Sequence, residues 1–279
     1  MQIIVNPLFY YIFYQTVVMH NKILAIEEGV HYDERIKKRQ KPDDVNIDSL
    51  YDSRMTPGNY CWFYYVKHYS YMAKLKPSEI LDVACGSGFL SVLLARFGHK
   101  VHAVDISGKS IEYAQELVKV NNQANNITLE RMDVCNLTFN DNTFDVVTGE
   151  NVVHHIIKYN GALENLYRVL KPGGVAIFWE PFKFNPMINI MRAINVRIRN
   201  HEGEAFLGKS DLEKIELLFD EVIVTQRSVV YVLSRFFYKP TPFNRMVNIF
   251  LKKIDNFLQS FFPFLDKFYS LAYLELYKK

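Results

Sequence analysis

The residues best suited to chemistry in this chain stand at the ends of predicted strands. The segment Ile80-Leu-Asp-Val-Ala-Cys-Gly-Ser-Gly88 joins a short apolar strand to a turn of small residues. Gly86 and Gly88 have no Cβ, so the turn can adopt a strained backbone and let a ligand approach closely. Helical apolar spacing over residues 89–97 predicts a helix whose unpaired N–H groups face the same place. Strand, turn and helix together predict a nucleotide-binding unit.

Carboxylates follow the next predicted strands. The strand over residues 100–106 contains Asp105, which is well placed to accept hydrogen bonds from both hydroxyls of a ribose. The strand over residues 127–132 is followed by Asp133. The strand over residues 144–148 leads into Gly149-Glu-Asn-Val-Val-His-His155, and a fifth strand, residues 175–179, is closed by Glu180. Ligands of open parallel sheets bind at the carboxyl ends of strands, so these groups should share one site.

This order of features, from about residue 77 to residue 181, resembles the class I S-adenosylmethionine-dependent methyltransferases. The resemblance implies an α/β fold, a Rossmann-like seven-stranded sheet with helices on both faces, and S-adenosylmethionine as the cofactor. Ala84 stands where the family most often has a glycine, which is a small change in volume. The resemblance implies these cofactor-binding positions: Asp82, Ala84, Gly86 and Gly88 beneath the amino acid part, Asp105 and Ile106 at the ribose, Asp133 and Val134 at the adenine, and Glu150 in the same pocket.

A dinucleotide site is the alternative interpretation of the same glycines. Gly86-x-Gly88-x-x-Ser91 is close to the G-x-G-x-x-G/A pattern, and an acidic residue follows at a plausible distance. Asp133 favours the methyltransferase, because a carboxylate after the third strand can accept a charge-assisted hydrogen bond from an adenine amino group.

The predicted chemistry is an in-line displacement, which mainly requires that donor and acceptor be held collinear. A proton must also leave if the acceptor is a hydroxyl or a carbon acid, and a side chain at the strand ends could take it. His155 is the first candidate, followed by His154 and Glu150. A histidine that only orders its loop is the alternative for His155. Candidate contacts to the acceptor are Glu180, Arg192 and Tyr60.

Four regions are predicted around this core. Residues 1–76 form a helical N-terminal lid with a polar loop at residues 31–52, and the aromatic segment 60–71 is a helix over the cofactor. Residues 77–233 are the cofactor-binding core. Residues 234–267 are a helical insertion, and residues 268–279 are the final strand. Segments 221–233 and 268–277 are expected to pair antiparallel, and segment 185–200, which contains Arg192, could line the acceptor pocket.

The insertion contains an amphipathic helix over residues 243–261. Its apolar positions include Phe250 and Phe257, and its polar positions include Asn248 and Lys252. The helix could pack on the domain, form a dimer surface, cap the substrate, or make peripheral membrane contact through residues 243–264. Monomer and homodimer both remain open.

Composition and net charge limit the kinds of partner that the protein is expected to bind. The net charge of +3 does not call for nucleic acid, and three cysteines at positions 61, 85 and 135 have no metal or disulfide spacing. They suit a reducing cytoplasm. The apolar run at residues 7–19 is shorter than the ~20 residues that a membrane-spanning helix needs.

The expected acceptor is a small, largely apolar metabolite or lipid-like molecule. No Asn-Pro-Pro-Tyr sequence, typical of enzymes that methylate amino groups on nucleobases or glutamine, follows the fourth strand. Two alternatives remain: a protein or RNA methyltransferase, and a catalytically silent cofactor-binding module.

Overall fold

The computed structural model describes residues 27–39, 41–55, 62–190, 206–227, 229–237 and 241–279. Seven strands form one sheet in the order β3-β2-β1-β4-β5-β7-β6. Strands β1 to β5 are parallel, and β7 pairs antiparallel with both β5 and β6. The predicted seven-stranded Rossmann-like fold is therefore confirmed. The strands are β1 Glu79–Val83, β2 Lys100–Asp105, β3 Ile127–Arg131, β4 Phe144–Glu150, β5 Leu170–Pro181, β6 Glu221–Arg227 and β7 Leu271–Tyr277.

Helices cover both faces of the sheet. The apolar side chains of β1 accordingly belong to two separate core clusters. Leu81 and Val83 belong to a cluster that includes α7, whereas Ile80 belongs to a second cluster that includes α4. The helices are α1 over residues 27–36, α2 Ile47–Met55, α3 Trp62–Met72, α4 Phe89–Arg96, α5 Gly108–Val120, α6 Val153–Ile156, α7 Ala162–Val169, α8 over residues 186–190, α9 Lys209–Leu218 and α10 Pro242–Phe261.

The polar segment 31–52 is more helical than predicted. It contains the end of α1, a 3₁₀ turn at Pro42–Asp44 and the start of α2. Asn46 explains the start of α2, because its Oδ1 accepts a hydrogen bond from the Ser49 backbone N–H at 2.8 Å. Ile36 and Ile47 are buried, so this polar segment is anchored by single apolar side chains rather than by a continuous apolar face.

The two final strands are shorter than predicted. The sixth ends at Arg227 instead of residue 233, because Asp255 of α10 accepts hydrogen bonds from the backbone N–H groups of Val230 and Tyr231 at 2.6 and 3.2 Å. The chain then enters a 3₁₀ segment, Tyr231–Phe237. A further 3₁₀ segment, Pro263–Phe268, delays the start of the seventh strand to Leu271. No helix in the described part of the chain is long and apolar enough to cross a membrane.

Candidate active site

A pocket of about 550 Å³ lies at the carboxyl ends of the parallel strands. Its floor is formed by the residues that follow β1, β2, β3 and β4. The N-terminal lid covers it, since α1 contributes Glu28 and Tyr32, α2 contributes Arg54, and α3 contributes Tyr65. The position of this pocket agrees with the general rule for ligands of open α/β sheets.

The turn after β1 has the backbone that a close ligand requires. Ala84, Gly86 and Gly88 have φ angles of 52°, 55° and 77°, in the left-handed region. A Cβ added at Gly86 would meet nothing within 4 Å, so this glycine keeps the pocket open. A Cβ at Gly88 would lie 2.9 Å from the Cβ of Ala114, so Gly88 allows α4 to pack against α5. Ala84 and Gly86 border the pocket.

Asp105 at the end of β2 is almost completely buried beside this turn. Its Oδ2 accepts a hydrogen bond from the Gly86 N–H at 2.8 Å, and its Oδ1 accepts one from the Ser107 N–H at 2.8 Å. Burial raises the pKa of this carboxyl. Each oxygen keeps a second acceptor site, which suits the two hydroxyls of a ribose. Ile106, the next residue, also borders the pocket.

Asp82 is a second buried carboxyl at the pocket. Its Oδ2 accepts a hydrogen bond from the Ser91 hydroxyl at 2.6 Å, and burial raises its pKa to about 8. The negative charges of Glu150 and Asp105 act in the same direction. A positively charged ligand group would favour the ionised form of this carboxyl.

Asp133 and Val134 form the far wall of the pocket. The Oδ1 of Asp133 accepts a hydrogen bond from the Cys135 N–H at 2.9 Å and thereby caps the 3₁₀ turn Val134–Asn136. Val134 is buried, and its side chain borders the pocket. An apolar surface beside a carboxylate with spare acceptor sites suits an adenine ring and its amino group.

Glu150 at the end of β4 is held by the lid. Arg54 donates to both of its carboxylate oxygens at 2.9 and 2.8 Å, and the Tyr69 hydroxyl donates to Oε1 at 2.7 Å. The guanidinium of Arg54 also lies over the rings of Tyr65 and Phe89, 4.8 and 4.1 Å from their centroids. Burial opposes the charge on Arg54, but the carboxylate of Glu150 outweighs it and raises the pKa of the guanidinium. Arg54 and Tyr69 therefore hold Glu150 in place at the border of the pocket.

Glu180 does not face the pocket as the sequence suggested. It is completely buried, and its Oε1 accepts hydrogen bonds from the N–H groups of Val152 and Val153, both at 2.8 Å. Its Oε2 lies 2.6 Å from the Nδ1 of His154. Since an ionised carboxylate can only accept, Nδ1 donates this hydrogen bond. Glu180 is thus a positioning group for α6 and His154, and its predicted contact with the acceptor is not supported.

The two histidines of α6 occupy different surroundings. His154 is buried, and its Nε2 has no hydrogen-bond partner in the described part of the chain. The half-buried His155 lies 3.3 Å from the Tyr32 hydroxyl through Nε2. Their ring centroids are 4.1 Å apart with the ring planes tilted by 40°, and both residues border the pocket.

Several pocket residues had no signal in the sequence. Arg54, Tyr32 and Arg39 belong to the lid, and Arg39 donates to the Ser87 hydroxyl in the glycine turn at 2.9 Å. No spacing within residues 27–55 distinguishes these side chains from a solvated polar surface. Tyr60 and Arg192, the predicted acceptor contacts, lie outside the described residues.

Comparison with known proteins identifies the central domain. Residues 81–178 match the family model described as "Methyltransferase domain". This chain contains a class I S-adenosylmethionine-dependent methyltransferase domain. The matched residues run from β1 to β5 and include the turn, Asp105, Asp133 and α6.

Curated relatives of the methyltransferase domain come from bacteria. A demethylmenaquinone methyltransferase from Symbiobacterium thermophilum is 36% identical over 127 residues, which cover 44% of this chain and 50% of the relative. A ubiquinone biosynthesis O-methyltransferase from Coxiella burnetii is 32% identical over 113 residues, which cover 40% of this chain and 47% of the relative. The chain thus spans about half the length of the curated relatives that it matches.

Solved structures share the fold of the methyltransferase domain. A protein from Pyrococcus horikoshii OT3 superposes with a TM-score of 0.54 at 20% identity, covering 88% of this chain and 99% of that one. The cyclase SpnF gives a TM-score of 0.51 at 16% identity, covering 76% of this chain and 79% of that one. At these identities the likeness concerns the fold alone.

Proposed function

We propose that this protein transfers a methyl group from S-adenosylmethionine to a hydroxyl group of a small, largely apolar, lipid-like acceptor. The observation that carries the proposal is the buried Glu180–His154 pair, because its histidine borders the same pocket as the glycine turn and Asp105. The names of the curated relatives, which refer to demethylmenaquinone and to ubiquinone biosynthesis, support an acceptor of this class.

The charges of the pocket suit this cofactor. Asp82 offers a carboxylate to a positively charged group, and Asp105 offers acceptor sites to ribose hydroxyls. Arg39, which reaches the glycine turn, offers a cation to a carboxylate. A zwitterionic amino acid, a sulfonium and a ribose together would satisfy this set of groups.

His154 is proposed as the general base. When bound, S-adenosylmethionine would supply a methyl group on a positively charged sulfur. Nε2 of His154 would accept the proton that the acceptor hydroxyl loses as it is methylated. Glu180 holds Nδ1 protonated, and it stabilises the imidazolium that forms. The ring of Phe206 lies edge-on to His154, with the two ring centroids 6.3 Å apart.

The acceptor side of the pocket is aromatic. Trp179 at the end of β5 borders it, and its Nε1 is buried without a hydrogen-bond partner in the described residues. Tyr65 packs edge-on against this indole at 5.4 Å, and Leu271 lies on the same wall. A buried donor and a buried acceptor without partners suit a ligand that has one hydroxyl group on an apolar body.

Acceptor-dependent release of S-adenosylhomocysteine tests the proposal. Purified protein is incubated with S-adenosylmethionine and with lipid, small-molecule, protein or RNA fractions of a cell extract. We expect turnover with the lipid fraction. Turnover with protein or RNA alone would contradict the acceptor class, and cofactor binding without turnover in any fraction would indicate a silent module.

The variant Asp105→Ala provides the matching test of the cofactor site. Loss of its charge-assisted hydrogen bonds should weaken S-adenosylhomocysteine binding by about 2 to 3 kcal/mol. Calorimetry measures this, and circular dichroism checks that the variant is folded. Unchanged affinity would contradict the assignment of Asp105 to the ribose.

A further inference from the structure

Helix α10 packs against the protein with a face that includes two polar side chains. Asn248, Leu251 and Asp255 are its buried residues. The Asn248 amide donates to the Phe237 carbonyl at 3.0 Å, and Asp255 accepts from the backbone of Val230 and Tyr231. Two polar side chains therefore anchor the helix, and several of its large apolar side chains face outward.

The outward side is a continuous apolar stripe. Phe243, Met246, Phe250, Phe257 and Phe261 are each between 55% and 68% exposed. At 100° per residue these five positions fall within a sector of about 60° on the helix. Phe262 and Phe264, which follow the helix, are 41% and 64% exposed and extend the stripe. We call these seven residues the α10 face. A soluble surface seldom leaves such a set of large apolar side chains exposed together.

Basic residues border the α10 face. Arg245 and Lys253 on the helix and Lys267 beyond it are exposed. Asp255, the acidic residue of α10, is 4% exposed, and its carboxylate accepts hydrogen bonds from the backbone. An apolar stripe bordered by basic residues is complementary to the surface of a membrane that contains anionic lipids.

The α10 face belongs to the same edge of the sheet as the pocket. The insertion leaves the sheet at Arg227 and returns at Leu271, and these two residues pair with each other. Leu271 also pairs with Pro181 at the carboxyl end of β5, and both residues border the pocket. The insertion that carries the face therefore starts and ends at the mouth of the candidate active site.

We propose that the α10 face docks onto a bilayer that contains anionic lipids. Six phenylalanines and one methionine enter the interface between headgroups and acyl chains, and Arg245, Lys253 and Lys267 contact lipid phosphates. The docking itself is independent of the reaction. The benefit to catalysis rests on the function proposed above, since a lipid-like acceptor could pass from the bilayer to the pocket without crossing water.

Flotation with vesicles tests the docking. Purified full-length protein is mixed with vesicles of phosphatidylcholine alone and of phosphatidylcholine with phosphatidylglycerol. We expect wild type to float with the anionic vesicles and to dissociate partly at high salt. Phe250→Glu with Phe257→Glu should lower the bound fraction by at least about tenfold. The control is Val120→Glu with Leu217→Glu, which changes two exposed apolar residues elsewhere and should bind as wild type does.

A second pair of variants separates charge from apolar insertion. Arg245→Glu with Lys253→Glu should lower binding to anionic vesicles several-fold, and Lys74→Glu with Lys76→Glu, on another surface, should not. The variant Phe250→Trp reports insertion of the helix into the bilayer. Its tryptophan fluorescence should shift to shorter wavelength when anionic vesicles are added. This readout does not depend on the stability of the double glutamate variant.

Two results would overturn the docking proposal. One is a wild type that binds neither kind of vesicle. The other is a stable dimer by light scattering that Phe250→Glu with Phe257→Glu converts to monomer, which would assign the α10 face to a second copy of the chain. Vesicle binding without any methyl transfer would leave the docking intact and would count only against the proposed function.

Discussion

The Nδ1 of His154 lies 2.6 Å from the Oε2 of Glu180, and both side chains are shielded from water. This contact joins the helix after β4 to the end of β5. The same carboxylate accepts hydrogen bonds from the backbone N–H groups of Val152 and Val153, so it orders the segment that carries both histidines. A histidine held in one tautomer by a buried carboxylate is well suited to accept a proton at its other nitrogen.

Substitution of His154 tests this role. We expect His154→Gln to lower kcat by roughly 10² to 10⁴ and to leave cofactor affinity near that of wild type. Steady-state kinetics measure kcat, and calorimetry measures the affinity for S-adenosylhomocysteine.

His155→Gln is the matched control for that experiment. Its Nε2 contacts the Tyr32 hydroxyl at 3.3 Å, so its loss should alter the fit of the lid and lower kcat less than the loss of His154. The reverse order of effects would assign the base to His155, which was the first candidate from the sequence.

Asp82 should release a proton when the cofactor binds. Burial raises its pKa to about 8, so the carboxyl is largely protonated at pH 7. A positively charged ligand favours the carboxylate, and binding should therefore release up to about one proton at pH 7 and strengthen as pH rises toward 8. Titration calorimetry in two buffers with different ionisation enthalpies counts these protons.

Asp82→Asn should abolish this proton release, whereas Asp145→Asn should not. Asp145 accepts hydrogen bonds from the Glu79 N–H and from Lys171, away from the pocket. Equal proton release by wild type and Asp82→Asn would show that another group titrates on binding.

The pair of Arg54 and Glu150 should contribute to stability. Their side chains are 23% and 17% exposed, so removing one partner leaves a partly buried charge without compensation. Arg54→Met should lower the free energy of unfolding by about 3 kcal/mol, and the double variant with Glu150→Gln should recover part of the loss.

Urea unfolding measures these changes, and the exposed pair Glu34–Lys37 offers a control. Lys37→Met, which breaks that pair, should have little effect. A loss in Arg54→Met that the second substitution does not relieve would mean that packing against Tyr65 and Phe89, rather than the ion pair, stabilises the lid.

His68 should make the protein less stable in acid. Burial lowers its pKa from 6.5 to about 4, and its ring nitrogens lie near the Thr148 and Tyr273 hydroxyls. Between pH 6.5 and about 4, His68 is protonated in the unfolded chain but stays neutral in the folded protein. The contribution of neutral His68 is therefore complete above pH 6.5, and about 3 kcal/mol is lost as pH falls toward 4.

Comparison with His68→Gln isolates this effect. The free energy of unfolding of the variant, measured by urea at pH 7, 5.5 and 4.5, should fall less with pH than that of wild type. The raised pKa of Asp82 acts in the opposite direction, but it is common to both proteins and cancels in the difference. Parallel pH dependences would place the titrating group elsewhere.

The sequence by itself determined the core of this protein. The five parallel strands, the glycine turn and α4 were recognisable because their patterns are local: apolar runs, small residues at the turn and apolar spacing in α4. The carboxylates Asp82, Asp105 and Asp133 were identified because topology alone brings the carboxyl ends of parallel strands to one edge. The amphipathic character of α10 was equally local.

Tertiary structure decided which groups meet. Arg54 and Glu150 are 96 residues apart, and no periodicity encodes their contact. Glu180 was interpreted as an acceptor contact, yet it points at α6 because four hydrogen-bond donors converge on it there. The apolar spacing of α10 showed that the helix has an apolar side, but it did not show whether that side faces the protein or the solvent. The hydrogen bonds of Asp255 and Asn248 to the Tyr231–Phe237 region hold the face that contains these two residues inward, so the phenylalanines of the helix lie at the surface.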